Sequence, residues 1–251
     1  MPKSIMNIIT FLSDFGERDW FVSAVKGEIL KINPWAKIID ITHNVEPFDI
    51  KRAAYILKMV YKNFPDGTVH LGVVDPGVGS KRKPICALSD GHYFVGPDNG
   101  IFSYIYKNPI VYEITVKKGV SNTFHARDIF GPVAARISLG TKLNQLGRRI
   151  YKFTKFSFPA IKKRGDEIYG EVVYIDHFGN LITNIPVSYP LKNFYIEGLG
   201  KIRIKEFYAL GKGNEAFGIK GSSGFYEIAC FKQRSDIRLN IKIGDKVIGK
   251  R

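Results

Sequence analysis

A change of rhythm near residue 153 constrains this chain more than any other feature of it. Before that point, short apolar runs alternate with stretches whose apolar residues return every three or four positions. Asn7–Leu12 reads as a strand that ends in the polar turn Ser13-Asp14-Phe15-Gly16. Phe21, Val22, Val25, Ile29 and Ile32 then recur at helical spacing until Asn33-Pro34 stops the helix. Lys37–Ile41 predicts the next strand. Ile50, Ala53, Ala54, Leu57 and Val60 share one face of a second helix, which the turn Pro65-Asp66-Gly67 follows. Val69–Val74 is nearly all apolar, as in a parallel strand covered on both faces. Ile85–Leu88, Tyr93–Val95 and Ile110–Ile114 are further strands, and a third helix is expected from an N-cap at Asp128 to Gly140. This order predicts a three-layer α/β domain over residues 1–154 with a central, mostly parallel sheet.

Beyond it the helical period disappears. Residues 155–165 read as a linker, with Pro159 and the basic run Lys162-Lys163-Arg164. Residues 166–251 carry only short strand signals between glycine-rich turns: Tyr169–Ile175, Leu181–Ile185, Phe194–Glu197, Ile202–Ile204, Phe225–Phe231, Ile237–Ile241 and Lys246–Ile248. A smaller all-β barrel is the expectation. A chain of 251 residues buries enough apolar surface to fold without staples, and it has only Cys86 and Cys230. Those two define neither a disulfide framework nor a four-ligand zinc site. Met1–Leu12 is too short for a membrane span and lacks a cleavage signal, so a cytoplasmic protein is the expectation. The formal net charge of +15 raises the case for a polyanionic partner. Yet the basic residues are scattered, with no RNA-recognition pattern and no zinc-finger spacing, so a lysine-rich enzyme surface accounts for the charge and a nucleic-acid partner is disfavoured.

Ligands of open α/β sheets gather at the carboxyl ends of the strands, where three polar motifs fall. Asp14, with Asp19 nearby, is either a ribose-binding carboxylate or a helix N-cap. Val74-Asp75-Pro76-Gly77-Val78-Gly79-Ser80, followed by Arg82, permits close backbone approach. It matches neither a Walker loop nor a dinucleotide fingerprint, and a plain structural turn explains it equally well. Phe124-His125-Ala126-Arg127-Asp128 sets a histidine between charged residues, where it is either structural or catalytic. His43, His70, His92 and His177 show no metal-ligand spacing, and no Gly-x-Ser-x-Gly elbow occurs. Pro97-Asp98-Asn99-Gly100 and Asp176-His177-Phe178-Gly179-Asn180 each read as turns when taken alone.

Taken together the motifs resemble one family, the S-adenosyl-L-methionine (SAM) hydroxide adenosyltransferases, relatives of the nucleophilic fluorinases and chlorinases. The matching segments are SDFG at Ser13–Gly16, VKGEI at Val25–Ile29, HLGVVDPGVGS at His70–Ser80, PDNG at Pro97–Gly100, FHARDIFGP at Phe124–Pro132 and YIDHFGNLITNI at Tyr174–Ile185. The resemblance implies an N-terminal α/β domain, a C-terminal β-barrel and a homotrimer with nucleoside sites between subunits. It implies hydrolysis of SAM to adenosine and L-methionine, with SAM as substrate and no cofactor. The catalytic signature falls on Asp75, Arg82 and His125, and the ribose carboxylate on Asp14. Phe48 stands where the halogenases hold a tryptophan against the sugar. From the neighbouring subunit, Asp176 would hold the methionine amino group, Phe178 and Asn180 would face the adenine, and Ser222 would sit near the methionine carboxylate.

The same comparison separates hydrolase from halogenase. Halogenases carry Tyr-Pro-Ala-Thr-Gly where this chain has Asp75-Pro76-Gly77-Val78-Gly79, and Tyr-Ser in place of His125-Ala126. Charged groups there suit water rather than halide. Two departures stand out: Ser223 aligns with the halogenase arginine beside the methionine carboxylate, and Phe231-Lys232-Gln233-Arg234-Ser235 replaces a glycine-containing stretch near the adenine. The competing classes are a SAM-dependent methyltransferase and a non-catalytic SAM- or nucleic-acid-binding module.

Overall fold

The computed structural model describes residues 7–251, so the reading of the amino terminus lies outside it over residues 1–6. The chain forms two compact units, one ending at Phe156 and the other spanning Ser157–Arg251.

The first unit holds seven strands: β1 (Ile8–Ser13), β2 (Lys37–Thr42), β3 (Val69–Val73), β4 (Pro84–Ser89), β5 (His92–Pro97), β6 (Ile110–Ile114) and β7 (Gly147–Ile150). They form one sheet in the order β2-β1-β3-β5-β4-β6-β7. The first four of that order are parallel, and β4, β6 and β7 extend the sheet antiparallel. Helices α1 (Phe21–Ile32), α2 (Ile50–Val60) and α3 (Gly131–Ser138) cover it. Neighbouring residues of a strand face opposite sides of a sheet, and β1 shows it. Phe11 joins Val25 and Ile29 of α1 and Val133 and Ala134 of α3 in one core, whereas Leu12 joins Ala53 and Leu57 of α2 in the other. β3 is buried throughout because both of its faces are covered.

The third helix departs from expectation. Asp128 is not its N-cap: a π-helical turn, Ala126–Phe130, precedes α3, and Asp128 lies inside it. The helix is followed by Gly140, in the left-handed conformation at φ +91°. β7 was not expected, because Arg148 and Arg149 give it no apolar alternation. Such charges suit the edge position it occupies.

The second unit contains β8 (Lys162–Arg164), β9 (Glu167–Ile175), β10 (Leu181–Pro186), β11 (Asn193–Ile196), β12 (Gly200–Arg203), β13 (Ala216–Lys220), β14 (Phe225–Cys230) and β15 (Lys246–Lys250). Seven of them run β12-β11-β15-β9-β10-β14-β13, with β8 paired to β9. The residue after β12, Ile204, bridges to Gly218 of β13 and nearly closes the sheet into a barrel. Val172, Leu181, Phe194, Tyr226 and Ile228 fill its core. The expected strand Ile237–Ile241 is instead helix α4 (Ser235–Leu239), ended by Asn240 at φ +51°. Ile237, Leu239 and Ile241 imitate a strand's alternation, but Ile237 is 72% exposed and Ile241 is buried. β8 and β13 were not expected; β8 is an exposed, wholly basic edge strand. No helix among the described residues is long and apolar enough to cross a membrane.

Candidate active site

The register of β1 on β3 pairs Ser13 with Val73, so the loops after both strands leave the same edge side by side. This is where the chain order around β1 reverses, the usual crevice of an open α/β sheet. Asp14 follows β1 immediately and does not cap a helix: α1 starts at Phe21, preceded by Trp20 without any side-chain cap. The Asp14 carboxylate instead accepts the backbone N–H of Phe48 at 3.0 Å. Phe48 is 69% exposed and has φ +69°, a conformation an aromatic residue rarely takes.

Asp75 opens the loop after β3. Asn99 of the Pro97–Gly100 turn donates to the carbonyl of Val74 at 2.7 Å, which braces the strand end from β5. Gly79 has φ +76°, and a Cβ there would lie 2.5 Å from the carbonyl oxygen of Asn122. Only glycine lets this loop pack on the segment that carries His125. The three signature side chains therefore converge. Arg82 Nε donates to both carboxylate oxygens of Asp75 at 2.9 and 3.0 Å, and Nη2 adds a short contact to Oδ2. Nη2 also donates to His125 Nδ1 at 2.8 Å. The Arg82 guanidinium lies over the Phe130 ring, with 5.1 Å to its centroid. Its buried Nη1 has no partner among the described residues.

A guanidinium only donates, so Nδ1 of His125 accepts and the ring proton sits on Nε2. Burial holds the His125 imidazole below its ordinary range; the positive charge of Arg82 lowers it further, against the opposing carboxylates of Asp75 and Asp128. The ring is neutral near pH 7. Burial raises the Asp14 carboxyl, the Phe48 N–H opposes this, and the nearby Asp75 charge adds a smaller upward push. Asp14, Asp75 and His125 line a cavity of about 290 Å³ together with Phe48, Phe15, Phe21 and Phe124. Phe124 packs edge-on against Phe15, Phe21 and Trp20, which gives the charged cluster an apolar wall. Asp19 is exposed and stands apart from the lining.

The second unit has its own cavity, about 930 Å³, lined by Asp176, Phe178, Asn180 and Ser222 among others. The Asp176 carboxylate accepts the backbone N–H of Asn180 at 2.8 Å and its side-chain amide at 2.9 Å. Gly179, at φ +83°, leaves no room for a Cβ beside Asp236 and Arg234. Arg234 in turn donates to the carbonyl of His177 at 2.9 Å, so the divergent Phe231–Ser235 stretch holds the Asp176 turn in place. Phe178 is 73% exposed at the mouth. The buried Oγ of Ser223 has no partner among the described residues.

Several lining residues escaped the sequence reading. Phe21 was read only as part of an apolar helix face, and Phe15 and Phe124 only as members of their motifs. Glu227 also lines the second cavity, where it accepts the Tyr208 hydroxyl at 2.6 Å; burial, with Asp176 nearby, raises its carboxyl. An acid inside the otherwise apolar β14 was the available signal. No group of three His, Cys, Asp or Glu side chains suited to a metal occurs among the described residues.

Comparison with known proteins decides the family. The profile described as SAM hydroxide adenosyltransferase N-terminal domain matches residues 9–147, and its C-terminal counterpart matches residues 170–248. This chain belongs to the SAM hydroxide adenosyltransferase family. A relative named (R)-S-adenosyl-L-methionine hydrolase, from Methanocaldococcus jannaschii, is 34% identical, with 98% of this chain and 97% of that protein aligned. A fluorinase from Actinoplanes sp. is 27% identical over 74% of each chain. Among solved structures, an uncharacterised conserved protein from Thermotoga maritima superposes with a TM-score of 0.89 at 34% identity, covering 97% of this chain and 100% of that one. The SAM hydroxide adenosyltransferase profiles divide between the two units, one matching within each.

Proposed function

We propose that this chain hydrolyses SAM to adenosine and L-methionine by in-line attack of water on the ribose C5′. The observation that carries this reading is the cluster of Asp75, Arg82 and His125 beside the cavity that Asp14 and Phe48 also line. The names of the similar proteins, hydrolases at the higher identity, support the same chemistry.

The sulfonium is already a good leaving group, so no acid is needed to expel methionine. Water is the weak reactant and must be aligned and polarised. Arg82 uses both acceptor positions of Oδ2 and one of Oδ1, so Oδ1 of Asp75 keeps a free lone pair that accepts an O–H of the water. With its proton on Nε2, His125 donates to one lone pair of the same water and leaves the other for C5′. Its Nδ1 is held by Arg82, which makes His125 the orienting donor and Asp75 the base. As the C5′–O bond forms, the C5′–S bond breaks and its electron pair stays on methionine sulfur; the water proton passes to Asp75 and then to solvent. Arg82 stabilises the developing hydroxide character and cannot itself serve as base.

Asp14 accepts the vicinal ribose hydroxyls, and Phe48 covers the sugar. In this proposal Asp176 holds the amino group of methionine, Phe178 and Asn180 face the adenine, and Ser222 lies near the carboxylate. These residues come from the neighbouring subunit of a cytoplasmic homotrimer. SAM is the substrate, and water chemistry of this kind calls for no cofactor. Purified protein incubated with SAM is expected to release adenosine and methionine on chromatography, with ¹⁸O from labelled water in the 5′-hydroxyl. S-adenosylhomocysteine would mean methyl transfer, intact SAM a binding module, and a 5′-halogenated nucleoside in the presence of halide a halogenase; each overturns the proposal.

A further inference from the structure

A second polar chain lies behind the sugar-facing residues, and the mechanism above does not use it. It begins on α1, where Lys26 Nζ donates to Asp40 Oδ2 of β2 at 2.5 Å. The other oxygen of Asp40 stands 3.1 Å from His43 Nε2, an electrostatic contact rather than a well-aligned hydrogen bond. His43 Nδ1 lies 2.8 Å from the hydroxyl of Ser13, the last residue of β1. Ser13 and His43 are both buried. The Asp40 carboxylate favours the proton on Nε2, so Nδ1 accepts from the Ser13 hydroxyl. The Ser13 oxygen in turn accepts the Phe15 N–H at 3.4 Å. Burial keeps the His43 imidazole below its ordinary range, in keeping with a neutral ring.

The backbone repeats the connection. Gly16 donates to the carbonyl of His43 at 2.8 Å, and Val45 donates to the carbonyl of Ser13 at 3.4 Å. The Ser13–Gly16 loop is thereby cross-braced to the segment running from His43 to Phe48. Asp14 and Phe48 meet where the two loops face each other, joined by the 3.0 Å bond to the Asp14 carboxylate. Ser–His–Asp here does not make a nucleophile, because the serine is buried, at 0% exposure, and is held through Nδ1.

We infer that His43 is a positioning residue, which through Ser13 sets the Asp14 carboxylate and the Phe48 ring for the sugar of the substrate. The inference rests on the nucleoside reading for the identity of that sugar. Asp14 and Phe48 hold the ribose equally before and during reaction, so loosening them weakens binding rather than chemistry.

The test uses His43→Leu, which keeps an apolar body without the acceptor, His43→Asn, whose Oδ1 can take the Ser13 hydroxyl, and Ser13→Ala. SAM kinetics and adenosine calorimetry are both read. His43→Leu and Ser13→Ala are each expected to raise KM and the adenosine Kd about fivefold, with kcat within about twofold of the parent. His43→Asn is expected to restore most of the loss, and the double variant Ser13→Ala/His43→Leu should be no worse than either single change. Unchanged KM in Ser13→Ala, a fall confined to kcat, or additive losses would each overturn the assignment; Ser13→Ala decides it alone where His43→Leu does not fold. If the parent protein binds adenosine but leaves SAM intact, the hydrolase reading fails, and the calorimetric series still decides the role of His43.

Discussion

Arg82 occupies a position lysine cannot fill. Its flat guanidinium spans both oxygens of Asp75 and reaches His125 from the same nitrogen that touches Oδ2. A lysine keeps the charge and loses the fork. Arg82→Lys is therefore expected to cut kcat about a hundredfold while KM moves little, which steady-state kinetics will read. The same contact sets the direction of the pH response. His125 acts as an acceptor toward Arg82 only while neutral, and burial together with the Arg82 charge holds its pKa under the ordinary 6.5. The acid midpoint of activity should therefore lie below 6.5, as protonation of Nδ1 sets two donors against each other. His125→Gln should lower turnover and remove that acid limb from a pH profile of kcat/KM.

Loops and turns, more than strands, decide whether the charged side chains meet. The Asp75–Ser80 loop reaches the His125 segment because Gly79 tolerates φ +76° and presents no Cβ to Asn122. Alanine there meets both obstacles. The left-handed conformation alone costs about 1–2 kcal/mol, and the contact with the carbonyl forces the loop away. Gly79→Ala is expected to lose at least about tenfold in turnover while far-UV circular dichroism stays unchanged, since the surrounding sheet does not depend on the loop. The π-helical turn after His125 belongs to the same class of device. Its wider winding places Asp128 where it accepts the Ser121 N–H at 2.8 Å and pairs with Arg127, instead of capping α3.

Each unit has its own cavity, and in the proposed reading the two take different parts of SAM. The first is lined by a carboxylate, an aromatic ring and the Asp75–His125 cluster, which the proposal gives to the sugar and C5′; the second is lined by carboxylates and polar turns, which it gives to an amino acid and a base. If neighbouring subunits supply the halves, two inactive variants should complement. Asp75→Ala and Asp176→Ala subunits, unfolded together and reassembled at equal ratio, are expected to regain about a quarter of the parental sites, because each site then draws its halves independently. Activity that stays at the level of the separate variants would place both halves within one chain.

Much of this was legible in residue order because periodicity reports burial directly. The helical spacing of Phe21–Ile32, the unbroken run Val69–Val73 and the alternation of Glu167–Ile175 each recorded how many faces of an element are covered. The convergence of Asp75, Arg82 and His125 was foreshadowed by motif resemblance, but no local pattern distinguishes such a cluster from three unrelated turns. Long-range packing made that difference: a missing Cβ at Gly79, the brace from Asn99 and the parallel register of β1 on β3. Other features left still fainter traces. A buried acid at Glu227, a helix where Ile237–Ile241 imitates a strand, and the tie between Ser13 and His43 all depend on partners distant in the chain. Local patterning therefore sets which elements form and which face each buries, whereas a side chain's chemical task is set by neighbours that only folding supplies.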